Sequence, residues 1–446
     1  MKTTSTSDLT PSHEEPLLES AGRLVPFIQG APEPFPSQET LQGQEPAEGV
    51  ELVEKLGKAL HAYGCPAHRL EDALVRVSRR LGLEGQFFST PTALFASLGT
   101  GRQRRTSLLR VEPGEANLEK LSRLDAVLGR VIRGTLSPAV AAEEVDAIVD
   151  SRPRYGALVT TLSFALASGS AAHFFHGGWA EIVGAAGIGL LVGLLALVAG
   201  RSPTTGRLLE PVSAVVASFL AAVFVTLPGM PPASPFLITL AGLIVLLPGL
   251  SLTIALSELA TRNLVSGGSR LAGAALVFIT LGFGVALGGT LGAELLGSPA
   301  AATPTPLPPW TELPALAVAT LSFTVLFRAH PREVGWIFTA GAIAIAGGRL
   351  GTEWLGPELG AMVAAVLLGM GSNLYARLLD RPSANTQLPG LMLVVPGSLG
   401  FRGLAALIER DTLTGVQTAF SVSLVAIALV TGLLIANVLL PPKRSL

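Results

Sequence analysis

From about residue 157 onward, the chain alternates long apolar runs with short polar breaks. Each run approaches the roughly 20 residues that cross a hydrocarbon core. Ten membrane segments are predicted, near 157–175, 179–199, 211–228, 235–260, 271–296, 313–328, 334–351, 357–377, 385–408 and 415–439. Upstream, residues 50–150 pattern as a soluble α/β domain of about a hundred residues, enough for a core of its own. Leu52, Leu56, Leu60 and Tyr63 keep helical spacing, as do Leu70, Leu74, Val77 and Leu81, with Gly64-Cys65-Pro66 as the stop between them. Phe87–Leu98 and Thr106–Val111 predict two strands joined by the basic loop Thr100–Arg105. Leu118, Leu121, Leu124 and Leu128 mark a third helix, and a fourth starts at Pro138. Residues 1–48, rich in Pro, Glu, Ser and Gly, predict a disordered tail.

The fourth and ninth segments share an interruption. Pro248-Gly249 and Pro396-Gly397 each fall inside an apolar run, where proline removes a backbone donor and glycine loosens the helix. A Pro- and Thr-rich linker, 297–312, separates a first set of five segments (155–296) from a second (313–440). Five is odd, so the second set enters the membrane from the opposite side. Thr-Leu-Ser-Phe recurs at 161–164 and 320–323, followed by Gly-Trp at 178–179 and 335–336. The fold class expected is a polytopic α-helical membrane protein of ten transmembrane helices, built as two inverted-topology five-helix repeats after a small soluble α/β domain. Matched broken helices in such halves point to a transporter's binding site and to alternating access.

Charge orients the chain. Only 14% of residues are charged, the mean hydropathy is +0.54, and most of the charge lies in the first third. Twelve basic residues, from Arg152 to Lys443 and Arg444, fall on one side of the predicted membrane. Only Arg349, Arg402 and Arg410 fall on the other. The positive-inside bias then puts the N-terminal domain and the C-terminus in the cytoplasm. No cleavable signal peptide is predicted. One cysteine, Cys65, is too few for a disulfide or a cysteine-based metal cluster, and no cofactor is expected.

The candidate substrate site is Pro248, Gly249, Ser251, Thr253, Pro396 and Gly397. Helix N-termini at the breaks would offer free N–H groups, unwound carbonyls would offer acceptors, and Ser251 and Thr253 would add hydroxyls. Prolines also simply kink membrane helices, with nearby hydroxyls satisfying the freed carbonyls. Arg402, six residues past Pro396, would contact the substrate or cap its broken helix. Glu258 and Arg270 are the candidate coupling and gate pair, while Arg262, at i+4 from Glu258, offers an ordinary surface partner instead. Asn373 reads as a helix–helix hydrogen bonder. Cys65 and His68 have the spacing of a nucleophile and base but no third member, so regulation or gating suits the soluble domain better than hydrolysis. His68, Arg69 and Glu71 read as a cap with surface or interdomain pairs. The Arg102–Arg105 turn suits anionic membrane lipids better than nucleic acid.

Several stretches carry a family likeness. Tyr-Gly-Cys-Pro-Ala-His-Arg-Leu-Glu (63–71), Asn-Leu-Glu-Lys-Leu-Ser-Arg-Leu-Asp (117–125), Ser-Arg-Pro-Arg-Tyr-Gly (151–156), Leu-Leu-Pro-Gly-Leu-Ser-Leu-Thr-Ile-Ala-Leu-Ser-Glu-Leu (246–259) and Val-Pro-Gly-Ser-Leu-Gly-Phe-Arg-Gly (395–403) resemble the threonine/serine exporter family. The likeness covers about residues 50–440. It implies a secondary transporter of the cell (inner) membrane, not an enzyme, exporting threonine and serine at the expense of the proton motive force. For such a substrate the helix N-termini at the breaks and Arg402 would receive the carboxylate, unwound carbonyls the ammonium, and Ser251 and Thr253 the hydroxyl. Related two-chain systems export dicarboxylates such as succinate. Many members carry Asp at the Glu258 position and Gly near that of Arg262. The sequence leaves sodium as an alternative coupling ion and a homo-oligomer open.

Overall fold

The computed structural model describes residues 46–99, 104–112, 114, 116–297, 303–408 and 410–442. The predicted tail lies outside these residues up to 45, and helix α1 (Pro46–Ala62) already begins at its end. The centre of the basic loop (100–103) and linker residues 298–302 also lie outside them.

Two helices, a sheet and two more helices form the N-terminal domain. Helices α1 and α2 (Ala67–Arg80) meet through Leu52, Leu56, Leu70 and Leu74, the residues whose spacing marked them. The predicted strand Phe87–Leu98 is in fact two. β1 (Gly85–Thr90) and β2 (Ala93–Leu98) pair antiparallel, with Phe88 opposite Phe95. Pro91-Thr92 makes the reversal, since proline cannot donate to a ladder and favours a turn. β3 (Arg105–Arg110) completes a β1-β2-β3 meander. α3 (Leu118–Ile132) is capped by the Asn117 side chain accepting from Lys120 N–H, and α4 (Pro138–Val149) starts with proline at its first position. The domain's core does not end at its boundary. Phe327, Ala329, Ile337 and Leu388 from the apolar region belong to the same buried cluster.

The apolar region comprises α5 (Ala157–Phe174), α6 (Trp179–Ala199), the single turn α7 (Pro203–Gly206), α8 (Leu209–Thr226), α9 (Pro235–Gly242), α10 (Gly249–Ala260) and α11 (Leu264–Leu296). Then follow α12 (Glu312–Leu326), α13 (Val334–Leu355), α14 (Pro357–Leu379), α15 (Ala384–Leu391), α16 (Gly397–Ile408) and α17 (Thr412–Leu439). Among the described residues, seven helices are long and apolar enough to cross a membrane, or eight if α9 and α10, bent by 50° at their junction, count as one span. The two other predicted segments are shorter: α12 has 15 residues, and the ninth is the α15–α16 pair of 8 and 12.

Small residues let the helices close in. A Cβ at Gly288 of α11 would overlap the Val215 carbonyl of α8, and one at Gly189 of α6 would lie 2.7 Å from the Phe164 carbonyl of α5. Asn373 of α14 donates to Asn437 Oδ1 (2.9 Å) and to the Leu440 carbonyl (2.8 Å), tying α14 to the end of α17. Packing repeats between the halves: α8 lies on α11 as α14 lies on α17, and α10 on α11 as α16 on α17.

Candidate functional site

The two Pro-Gly breaks touch. A Cβ placed on Gly249 would lie 3.1 Å from Gly397 Cα, and one on Gly397 would lie 3.2 Å from Gly249 Cα. Backbone therefore meets backbone so closely that a methyl on either glycine would push the other by a few tenths of an ångström. Pro248 is the N-cap of α10, and α16 opens at Gly397 directly after Pro396, so each proline stands where its missing N–H costs nothing. The first N–H groups of a helix have no partner within it. Two such ends, each carrying the positive pole of a helix dipole, meet at this contact. From it α10 runs toward the N-terminal domain and α16 away from it. Each also packs on the last helix of the other half, α10 on α17 and α16 on α11.

The remaining predicted site residues fall in different surroundings. Thr253 is buried and its Oγ1 donates to the Gly249 carbonyl at 3.2 Å, so its hydroxyl satisfies a carbonyl at the break. Ser251 is exposed on the outside of α10. Arg402 is exposed as well, its guanidinium 5.8 Å from the centroid of the Phe175 ring beyond α5.

Glu258 and Arg270 come together. Glu258 is fully buried near the end of α10, and Arg270 Nε of α11 donates to its Oε2 at 3.1 Å and Oε1 at 3.3 Å. Ser266 Oγ donates to Oε2 at 2.8 Å. The last donor comes from outside the apolar region: Ala67 N–H, the first of α2, reaches Oε1 at 3.0 Å. A carboxylate of the apolar region thus caps a helix of the N-terminal domain, where the dipole favours negative charge. Arg262 adopts φ 66°, the left-handed conformation that favours glycine.

Further contacts hold the domain in place. Leu118 N–H donates to the Phe327 carbonyl (3.0 Å), Tyr155 Oη to the Ala329 carbonyl (2.7 Å), and Ser122 Oγ to Asn385 Oδ1 (3.0 Å). Glu333, buried at the start of α13, accepts from Tyr375 Oη at 2.5 Å and pairs with Arg381, just ahead of α15. At the opposite end, Glu181 at the start of α6 accepts from Ser234 N–H (3.0 Å), just ahead of α9. A buried glutamate anchors the lead-in to the broken helix in each half.

Beneath α2 lies a cavity of about 80 Å³, reached by Cys65, His68 and Arg69 from the domain, Thr253 and Ser257 from α10, Gln387 from α15 and Asn437 from α17. Burial pushes the Cys65 thiol up to about 12 and holds His68 down at about 4, so neither is poised as a nucleophile or a charged base. Maleimide at mildly alkaline pH should leave Cys65 unmodified in the folded chain and label it after denaturation. Equal labelling rates in the two states would show that the domain does not stay seated.

Comparison with known proteins now decides the family. Residues 51–292 match the family model described as "Putative threonine/serine exporter", and residues 312–439 match "Threonine/Serine exporter, ThrE". The chain belongs to the threonine/serine exporter family. Among curated proteins it is similar to three fungal sequences named pheromone-regulated membrane protein 10. Identity is 28% for those of Zygosaccharomyces rouxii and Saccharomyces cerevisiae and 29% for that of Eremothecium gossypii, each over 82% of this chain. The exporter-family region here spans only 38%, 48% and 50% of those relatives, respectively. No solved structure is significantly similar to it. Both Pro-Gly breaks, Glu258 and Arg270 fall inside the matched regions.

Proposed function

We propose that this protein exports threonine and serine across a cell (inner) membrane by alternating access, with protons moving inward. The observation that carries this reading is the backbone contact between the breaks at Gly249 and Gly397. Two helix N-termini that meet inside an apolar region offer a carboxylate its donors without a charged side chain, while carbonyls freed at the prolines suit an ammonium. The ten segments act as two inverted five-helix halves, and the matching packing of α8–α11 with α14–α17 supports that symmetry. Such symmetry gives one scaffold two mirror-related states. The basic-residue bias supports a cytoplasmic N-terminal domain, seated over the inner end of α10 and α15. Exposed Leu276, Ile279 and Phe283 on α11 would face lipid tails.

Glu258 is the proposed proton carrier and Arg270 its partner in a gate. The test of the whole reading is flux of labelled threonine, serine and succinate in proteoliposomes, with and without an imposed pH gradient. Gradient-dependent movement of threonine and serine is expected. Movement of succinate alone would replace the substrate and keep the mechanism, and no gradient-driven flux of any of the three would overturn both.

A further inference from the structure

The cavity beneath α2 holds a cation that the exporter reading has not used. Arg69 reaches from the first turn of α2 to α15, donating from Nη1 to Ser383 Oγ and from Nη2 to Gln387 Oε1, both at 3.3 Å. Both partners are neutral and both bonds are long. Glu258, the nearest carboxylate of the apolar region to α2, is already engaged by Ala67 N–H, Ser266 and Arg270. Glu71, two residues on, faces the other way and accepts from Ser89 N–H at 2.7 Å. A guanidinium partly withdrawn from water, as Arg69 is, gains from pairing with an anion, and its planar fork matches a carboxylate with two parallel bonds.

The cavity wall fits the rest of such a ligand. His68 Nδ1 is buried beside Arg69 without a hydrogen-bond partner. Burial keeps that imidazole neutral, so it can give or take one hydrogen bond. Ser257 and Asn437 add polar atoms, and Leu388, Leu391 and Leu433 close the remainder with apolar surface. A larger cleft of about 360 Å³ lies between α3 and the loops before α13 and α15, but it is lined by carboxylates of its own, Glu119 and Glu333, which disfavour an anion. There Arg381 pairs with Glu333, and Arg123 donates to Ser151.

We propose that Arg69 binds the carboxylate of the transported solute in a vestibule on the domain side of the breaks, so that the N-terminal domain supplies part of the transport path. The ligand class is a small carboxylate-bearing molecule, an amino acid or a short dicarboxylate; its role as cargo rests on the exporter reading. The vestibule lies along α10 between the domain and the break, which makes it a waiting position for solute before the helix ends take over.

The experiment uses the full chain in detergent and in proteoliposomes. Thermal unfolding is followed with L-threonine, with succinate, and with threoninol, which lacks the carboxylate. At least one of the two acids should raise the Tm of the wild type, and threoninol should not. Arg69→Gln should abolish that shift, while Arg69→Lys, which keeps the charge and loses the fork, should retain part of it. In flux assays Arg69→Gln should raise KM about tenfold or more, the loss expected for a charge-assisted bond, with a smaller change in kcat. An unliganded Tm close to wild type for Arg69→Lys separates lost binding from lost folding.

Unchanged KM and an unchanged ligand shift in Arg69→Gln would overturn the proposal and leave the exporter reading standing. An Arg69-dependent shift without any flux would do the reverse. No shift from either acid in the wild type would overturn the site as well.

Discussion

Alanine at Gly249 is expected to cut transport about tenfold or more, and alanine at Gly397 to reduce it less. At Gly249 the added methyl would lie 2.5 Å from Val395 Cγ1 and 3.1 Å from Gly397 Cα. The side chain of Val395 can move, but the backbone at Gly397 cannot without parting the helix ends. At Gly397 the methyl meets Gly249 Cα at 3.2 Å and Leu247 Cβ at 3.6 Å, a milder crowding. Overpacking of this kind costs about 1–3 kcal/mol. If that cost falls on only one of the two alternating states, each 1.4 kcal/mol alters their ratio about tenfold. Threonine exchange should therefore fall about tenfold or more in Gly249→Ala, with insertion intact by protease protection. Val395→Ala in the same chain should recover thermal stability and not flux, because the backbone contact remains. Exchange at wild-type rate in Gly249→Ala would mean that the breaks part before substrate binds, and that the contact plays no role in the cycle.

How much of this was open to sequence reading depends on the range of each signal. The breaks were legible because proline and glycine inside an apolar run act locally, whatever surrounds them. Their contact was not, since Gly249 and Gly397 are joined only by tertiary packing. Glu258 and Arg270 stood out as charges bordering apolar segments. The third element of that cluster, Ala67 N–H, carried no signal, because every residue but proline has a backbone donor. Arg69 was visible only as one of three charged or polar residues at a helix start, where a cap or an interdomain pair was the ordinary reading; its reach to Ser383 and Gln387 spans more than three hundred residues of chain. The hairpin at Pro91-Thr92 was missed for a simpler reason. Apolar residues on both sides of the turn blended into one long run.

Glutamine at Glu258 is expected to uncouple the transporter. The substitution keeps side-chain volume, and its amide can accept from Ala67 N–H through Oε1 while Nε2 donates to Ser266 Oγ, so the seat of the N-terminal domain should loosen without being lost. What it removes is charge: Arg270, its side chain 21% exposed, would face a neutral amide in place of a fully buried carboxylate. Breaking a fully buried ion pair costs about 3–5 kcal/mol, and less here because Arg270 reaches water. Protonation of Glu258 in the wild type would do the same reversibly, weakening its hold on Arg270 and on the positive end of α2 together. In the proposed cycle that shared carboxylate would link a proton to release of the domain from the near end of α10, and so to access for solute. In Glu258→Gln, threonine exchange between equal compartments should persist while stimulation by a pH gradient disappears. Cys65, at the foot of the same contact, should label faster with maleimide in the variant than in the wild type. Undiminished gradient stimulation would exclude Glu258 as the carrier and return the coupling ion to the carbonyls and hydroxyls at the breaks, the ligands that sodium would use.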